Sequence, residues 1–139
     1  MASDTPVSDL TFSVHHTMLP VADLDRSVAF YTRVMGMKLK DRHANAERKT
    51  DVALVGYGET AAPPFLELTQ SIGDKASSRV EPINAHIAID VSDLRKLCGV
   101  LEKEGVTFLR AFKTRGDGKG FSAWIADPDG HAIELAERH

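Results

Sequence analysis

The sequence predicts an α+β chain made of two successive strand–helix–strand–strand–strand halves, and three observations lead there. A histidine set into a short apolar run occurs twice, His16 in VHHTML and His86 in NAHIAIDV, and each is followed seven residues later by Asp-Leu, as Asp23-Leu24 and Asp93-Leu94. Each Asp-Leu opens an amphipathic helical pattern closed by a glycine, Gly36 or Gly105, 20 and 19 residues after its histidine. Each half then ends in an apolar run holding one glutamate: Glu67 in FLELT, 51 residues after His16, and Glu134 in HAIELAE, 48 residues after His86. Agreement at these landmarks marks an internal repeat.

The elements follow in order. Residues 1–13 are small and polar and are expected to form a flexible arm. VHHTML reads as a strand, and Asp23 is placed to cap LDRSVAFYTRVM, whose Leu24, Val28, Tyr31 and Met35 make one apolar stripe. Gly36 stops that helix. MKLKD is a strand, residues 42–50 (RHANAERKT) a charged loop, DVALVGYG a strand, ETAAPP a turn and FLELT a strand. Module one therefore spans 14–69, and residues 70–83 are a polar linker. Module two, 84–139, repeats the pattern. NAHIAIDV is a strand, Ser92 is the expected cap of DLRKLCGVLEKEG, VTFLRAF is a strand, KTRGDGKG a glycine-rich loop, FSAWIA a strand, DPDG a tight turn and HAIELAE the last strand.

The bulk numbers exclude several classes. The chain has 139 residues, 42% hydrophobic and 27% charged, ordinary for one globular domain or two small fused modules. A net charge of −3 with no run of Lys or Arg argues against nucleic acid or an anionic membrane as partner. The single cysteine, Cys98, permits no intrachain disulfide and falls in a helical pattern as a packed thiol. No apolar run approaches the roughly 18 residues of a membrane span, and no signal-peptide core begins the chain, so a cytoplasmic location is expected.

The polar intruders carry the chemistry. Burying a histidine or carboxylate in a strand costs several kcal/mol unless it is paired or bound. Strand side chains alternate faces, so Val14, His16 and Met18 share one face, as do Phe65, Glu67 and Thr69. In module two His86, Ala88 and Asp90 share a face, and Ala132, Glu134 and Ala136 oppose Ile133 and Leu135. Taken singly, a histidine at a strand's start is most often a satisfied edge residue, and a strand glutamate most often faces solvent. Their repetition at matching places changes the balance. Two His and two Glu meeting at one point make a divalent-metal site, suited to Zn, Ni, Co, Mn or Fe. His43, His131 and His139 lie in or beside polar loops and the terminus and are expected to be solvated.

HTMLPVADLDRSVAFYTRVMGMKL, FLELT, HIAIDV and DPDGHAIEL together resemble the vicinal oxygen chelate superfamily, and within it glyoxalase I. The resemblance covers about residues 14–137. It implies paired βαβββ modules, each a curved half-barrel sheet (the glyoxalase/bleomycin resistance/dioxygenase fold). It implies a homodimer whose sites take ligands from both chains, with His16, Glu67, His86 and Glu134 as the metal ligands. It implies isomerisation of a 2-oxoaldehyde–thiol hemithioacetal through an ene-diolate, with Glu134 as base and Glu67 as its counterpart for the other substrate hand. Nickel, cobalt or zinc would be the metal, and the short 42–50 segment leans toward nickel or cobalt. Glutathione would be the cosubstrate, with Lys119 and Arg115 as binding cations.

The thiol half departs from the pattern. An arginine is usual where this chain has Pro20, an asparagine where it has Ser71, and Trp-Gly where it has Ile72-Gly73. Losing such an arginine removes a charge-assisted pair commonly worth ~1.5–3 kcal/mol. Arg79, Lys113, Arg115 and Lys119 are the cations that could replace it. Two other readings follow from the same resemblance: a sister metalloenzyme, such as an epimerase, on another substrate, and a non-enzymatic drug-binding protein of the bleomycin-resistance type. Extradiol dioxygenases and fosfomycin-resistance transferases resemble the chain less, because they leave the position of Glu67 unused.

Overall fold

The computed structural model describes residues 6–139, so the first five residues of the expected arm lie outside the described residues. The remainder of the arm, residues 6–13, is exposed and forms no strand or helix, and Val14 and His15, expected to begin the first strand, precede it. Two four-stranded sheets follow. The first has order β1-β4-β3-β2, from His16–Pro20, Phe65–Ser71, Thr50–Gly56 and Lys38–Asn45. The second has order β5-β8-β7-β6, from His86–Asp90, Ala132–Arg138, Gly120–Ala126 and Phe108–Thr114. β1 and β5 pair in parallel with β4 and β8, and the remaining pairs are antiparallel. A crossover helix serves each parallel pair: α1, Leu24–Ala29, and α2, Leu94–Lys103. The predicted α+β architecture of two βαβββ units is present.

The repeat extends to single hydrogen bonds. The Asp23 carboxylate accepts from Arg26 N–H, and the Asp93 carboxylate accepts from Lys96 N–H, both at 3.1 Å. Asp93, not Ser92, therefore caps α2, because its backbone and carboxylate take the same position that Asp23 takes at α1. Leu24 N–H donates to the Gln70 side chain, and Leu94 N–H donates to Glu137, in each half the residue three after the strand glutamate. That amide, followed by His139, holds the Glu137 carboxyl below the usual range. Gly36 and Gly105 both take positive φ, 77° and 73°, where a side chain would be strained.

Four elements differ from expectation. The first helix becomes a wider π turn over Phe30–Val34, in which Met35 N–H reaches back five residues to the Phe30 carbonyl. Residues 42–45 are not loop but the second half of β2, and the connecting turn is only 46–49. β2 is an edge strand, so its charged side chains face water while its backbone pairs with apolar β3, and composition hides the pairing. β4 runs on to Ser71, and β6 claims Lys113 and Thr114 from the expected glycine-rich loop.

One apolar core joins the modules. Leu19, Val21, Leu24, Tyr31 and Leu68 from the first half pack with Leu94, Leu101, Ile125, Ile133 and Leu135 from the second, all at most 1% exposed. Cys98 lies at its margin, and burial raises the pKa of its thiol, consistent with a packing role. Among the described residues no helix is long and apolar enough to cross a membrane.

Candidate metal centre

The four predicted ligands form two pairs of the same design. His16 leads β1 and lies opposite Phe65, two residues before Glu67 on β4. His86 leads β5 and lies opposite Ala132, two residues before Glu134 on β8. Identical register gives nearly identical geometry: His16 Nε2 is 3.3 Å from Glu67 Oε2, and His86 Nε2 is 3.4 Å from Glu134 Oε1. Leu68, Ile133 and Leu135 next to the glutamates are fully buried. The polar residues face the other way, with 38% and 46% of the His16 and His86 side chains exposed. They therefore stand on the open face of each sheet rather than inside the core.

The spacing fits a shared ion. Two donors each about 2.1 Å from one metal, at tetrahedral or octahedral angles, lie about 3.0–3.4 Å apart. Each pair satisfies that condition with one imidazole nitrogen and one carboxylate oxygen. Among the described residues neither pair is joined by a third His, Cys, Asp or Glu into one close-set group of donors, although His15 Nδ1 lies 2.9 Å from His16 Nδ1. The structure brings His16 to Glu67 and His86 to Glu134, and leaves the two pairs on separate sheets.

Their surroundings differ. Beside the first pair, Thr69 Oγ1 is 3.4 Å from Glu67 Oε1, and the His15 and His16 rings meet edge to face. A cavity of about 450 Å³ opens over this pair, walled by Met18, Pro20, His43, Asn45, Arg48 and Thr50 among others. Beside the second pair, the Trp124 ring lies 4.7 Å from the His86 ring, and the Arg110 guanidinium lies 5.7 Å over Trp124. Arg115 and Lys119 are in the β6–β7 turn, and Gly120 pairs with Arg138, four residues beyond Glu134 along β8. Arg115 is bonded to Asp117 at 3.2 Å, within its own turn. In the isolated chain neither cation lies beside the ligands.

One close-set trio of potential donors does occur, Asp127, Asp129 and His131 in the DPDGH turn, and it is a clasp between the modules. His131 is fully buried, not solvated as expected. Its Nδ1 accepts from Ile83 N–H at 3.0 Å, so its Nε2–H donates to the Pro20 carbonyl at 2.7 Å. Both ring nitrogens are thus occupied. Asp127 accepts from the Tyr31 hydroxyl at 2.6 Å and from two backbone N–H groups of its own turn. Asp129 accepts from Ala22 N–H, Arg26 and Ser27. These partners, 96 to 111 residues away in module one, take up most of the acceptor sites of the two carboxylates and tie them to the first module. Burial, and then the Asp127 charge, push the Tyr31 phenol far above its ordinary range, so it stays a donor. Tyr31→Phe is expected to lower unfolding stability by about 1.5–3 kcal/mol, the usual worth of a buried hydrogen bond to a charge. An unchanged urea midpoint would show that this bond does not stabilise the chain.

Sequence reasoning missed the clasp because His131 follows a polar turn and its partners are distant in sequence. The DPDG signature was visible, but its contacts were not.

The chain is similar to known proteins across most of its length. The sequence model of the Glyoxalase/Bleomycin resistance protein/Dioxygenase superfamily matches residues 13–135. The lactoylglutathione lyase of Salmonella typhimurium is 39% identical over 122 residues, covering 88% of this chain and 90% of that one. The trypanothione-dependent glyoxalase I of Leishmania major superposes with a TM-score of 0.77 at 34% identity, over 91% of this chain and 87% of that one. The glyoxalase I of Zea mays gives a TM-score of 0.79 at 29% identity, over 90% of this chain and 44% of that longer one. With two βαβββ units, matched His–Glu pairs and a family match across most of its length, the chain belongs to the Glyoxalase/Bleomycin resistance protein/Dioxygenase superfamily.

Proposed function

We propose that the protein is a metal-dependent isomerase of glyoxalase I type, which converts the hemithioacetal of a 2-oxoaldehyde and a thiol into a 2-hydroxyacyl thioester. The observation that carries this reading is the duplication of the His–Glu pair in one register at ligand spacing. A protein that only sequestered a ligand would not require that donor set. Relatives named lactoylglutathione lyase, at 35–40% identity, support it.

In this reading the active unit is a symmetric homodimer. Each chain holds half a coordination sphere on each of two sheets, and a twofold axis lets the His16–Glu67 pair of one chain face the His86–Glu134 pair of its partner. A divalent ion of nickel, cobalt or zinc would be held by these four residues, and when bound it supplies Lewis-acid stabilisation of charge developing on two adjacent substrate oxygens. The residues do the rest. Glu134 takes the carbon-bound proton of the hemithioacetal and returns it to the neighbouring carbon. Glu67 occupies the equivalent place for the opposite substrate hand. Trp124, packed on His86, and Thr69, beside Glu67, hold the ligand side chains in place.

The thiol is set by other residues. Pro20 stands on the cavity wall and donates no hydrogen bond. The Leishmania major relative depends on trypanothione, so similar chains can differ in their thiol.

The test is reconstitution. Metal-stripped protein given nickel, cobalt, zinc or manganese separately is expected to isomerise the methylglyoxal–glutathione hemithioacetal with at least one of them. Stoichiometric metal uptake with no thioester formed under any metal would sink the reading.

A further inference from the structure

The cavity over the first His–Glu pair mixes apolar surface with a ring of hydrogen-bonding side chains. His43, Asn45, Arg48, Thr50, Thr69 and Ser71 contribute donors, against only Met18, Pro20 and Val52 as apolar walls. Arg48 is the outstanding member. Its guanidinium has no carboxylate partner among the described residues, which holds also for Arg79, Arg95 and Arg110, but Arg48 alone of the arginines and lysines lines this cavity. Its position is fixed all the same. Arg48 N–H donates to Asn45 Oδ1 at 3.1 Å, and Lys49, held at a φ of 55°, accepts from Ile72 N–H through its carbonyl at 2.9 Å. The Lys49 ammonium pairs with Asp74 at 3.0 Å. The turn is therefore tied to the segment after β4, and Arg48 overhangs the cavity with its charge unspent.

We propose that Arg48 is a specificity-determining residue that receives a substrate carboxylate. This rests on the isomerase reading of the same site. Thr50 pairs with Ser71, four residues from Glu67 along β4, so the turn stands about 13 Å from the ligand pair at the rise of a β-strand. A carboxylate reached from there belongs to an elongated substrate. The thiol half, as in a peptide thiol, is therefore the favoured source. A carboxylate on the far end of a 2-oxoaldehyde chain has the same chemistry, and the experiment separates the two.

Metal-loaded wild type, Arg48→Ala and Arg48→Lys are titrated calorimetrically with S-methylglutathione and with 2-hydroxyglutarate. The first probe carries carboxylates on the thiol half and the second on the acyl half. Arg48 is exposed on a turn, so the variants are expected to fold. Arg48→Ala is expected to weaken S-methylglutathione roughly ten- to a hundredfold, the range for one charge-assisted pair, with partial recovery in Arg48→Lys. A loss confined to 2-hydroxyglutarate would assign the carboxylate to the acyl half. Equal affinity of all three proteins for both probes, or no binding of either, would overturn the role of Arg48. Weakened binding in a protein that turns over no hemithioacetal would keep the anion site and sink the isomerase reading instead.

Discussion

Glu134→Gln is expected to lower kcat by about 10²–10⁴-fold, the usual contribution of a positioned general base, while the fold persists. Glu134 is only partly buried, and its carboxylate lies 3.4 Å from His86 Nε2, so glutamine removes basicity without opening the core. Glutamine keeps a carbonyl oxygen able to ligate, and this separates two explanations. If the bound metal, measured per chain, is retained while turnover is lost, Glu134 acts on the proton. If metal falls in proportion to rate, it acts as a ligand alone. The parallel variant Glu67→Gln sits in the matching register and should discriminate between substrate hands. An isomerase that loses activity with Glu67→Gln but keeps it with Glu134→Gln would reverse the assignment.

How much of this was legible beforehand depends on the range of the interactions involved. The His–Glu pairs were readable because strand parity, the Asp caps and the helix-ending glycines are local, and the repeat supplied an internal check on each. The α2 cap was misplaced by one residue, to Ser92, because adjacent residues of similar capping propensity differ only in backbone angle. Residues 42–45 were hidden because an edge strand needs no apolar alternation, its partner β3 supplying the burial. His131 was misjudged for the opposite reason. Its burial comes from the Pro20 carbonyl and the Ile83 amide, contacts 111 and 48 residues away that no local pattern encodes. Arg48 followed from the misreading of 42–45: once those residues are strand, the turn that bears it shrinks to 46–49 and lines the cavity.

The clasp also explains why the ligands stay apart within one chain. His131 ties the end of β1, through Pro20, to the approach to β5, through Ile83, and itself sits just before β8. With Tyr31–Asp127 and the Asp129 contacts it holds the modules back against one another through a shared core. The bidentate Arg33–Glu104 pair adds an exposed contact between the modules, of little energetic weight. A core that binds the two packed faces together turns both open faces outward. A second copy is then the simplest source of the missing half-sphere.

That geometry predicts complementation between two dead enzymes. A chain carrying His16→Ala and Glu67→Gln has no working first pair, and one carrying His86→Ala and Glu134→Gln has no working second pair. Each alone should be inactive, since every site of either homodimer has lost one histidine ligand and one carboxylate. Co-expressed, random pairing makes half the molecules mixed dimers, and in each of those one site combines both intact pairs while the other combines both damaged ones. Total activity should recover to about a quarter of wild type, and to about half in mixed dimers purified through two different tags. Bound metal in those purified dimers should be one per dimer rather than two. Sites formed within a single chain would give no recovery at any mixing ratio. Recovery of turnover together with one metal per mixed dimer would therefore assign both halves of the site to different chains, a result no single-chain arrangement of these four ligands can produce.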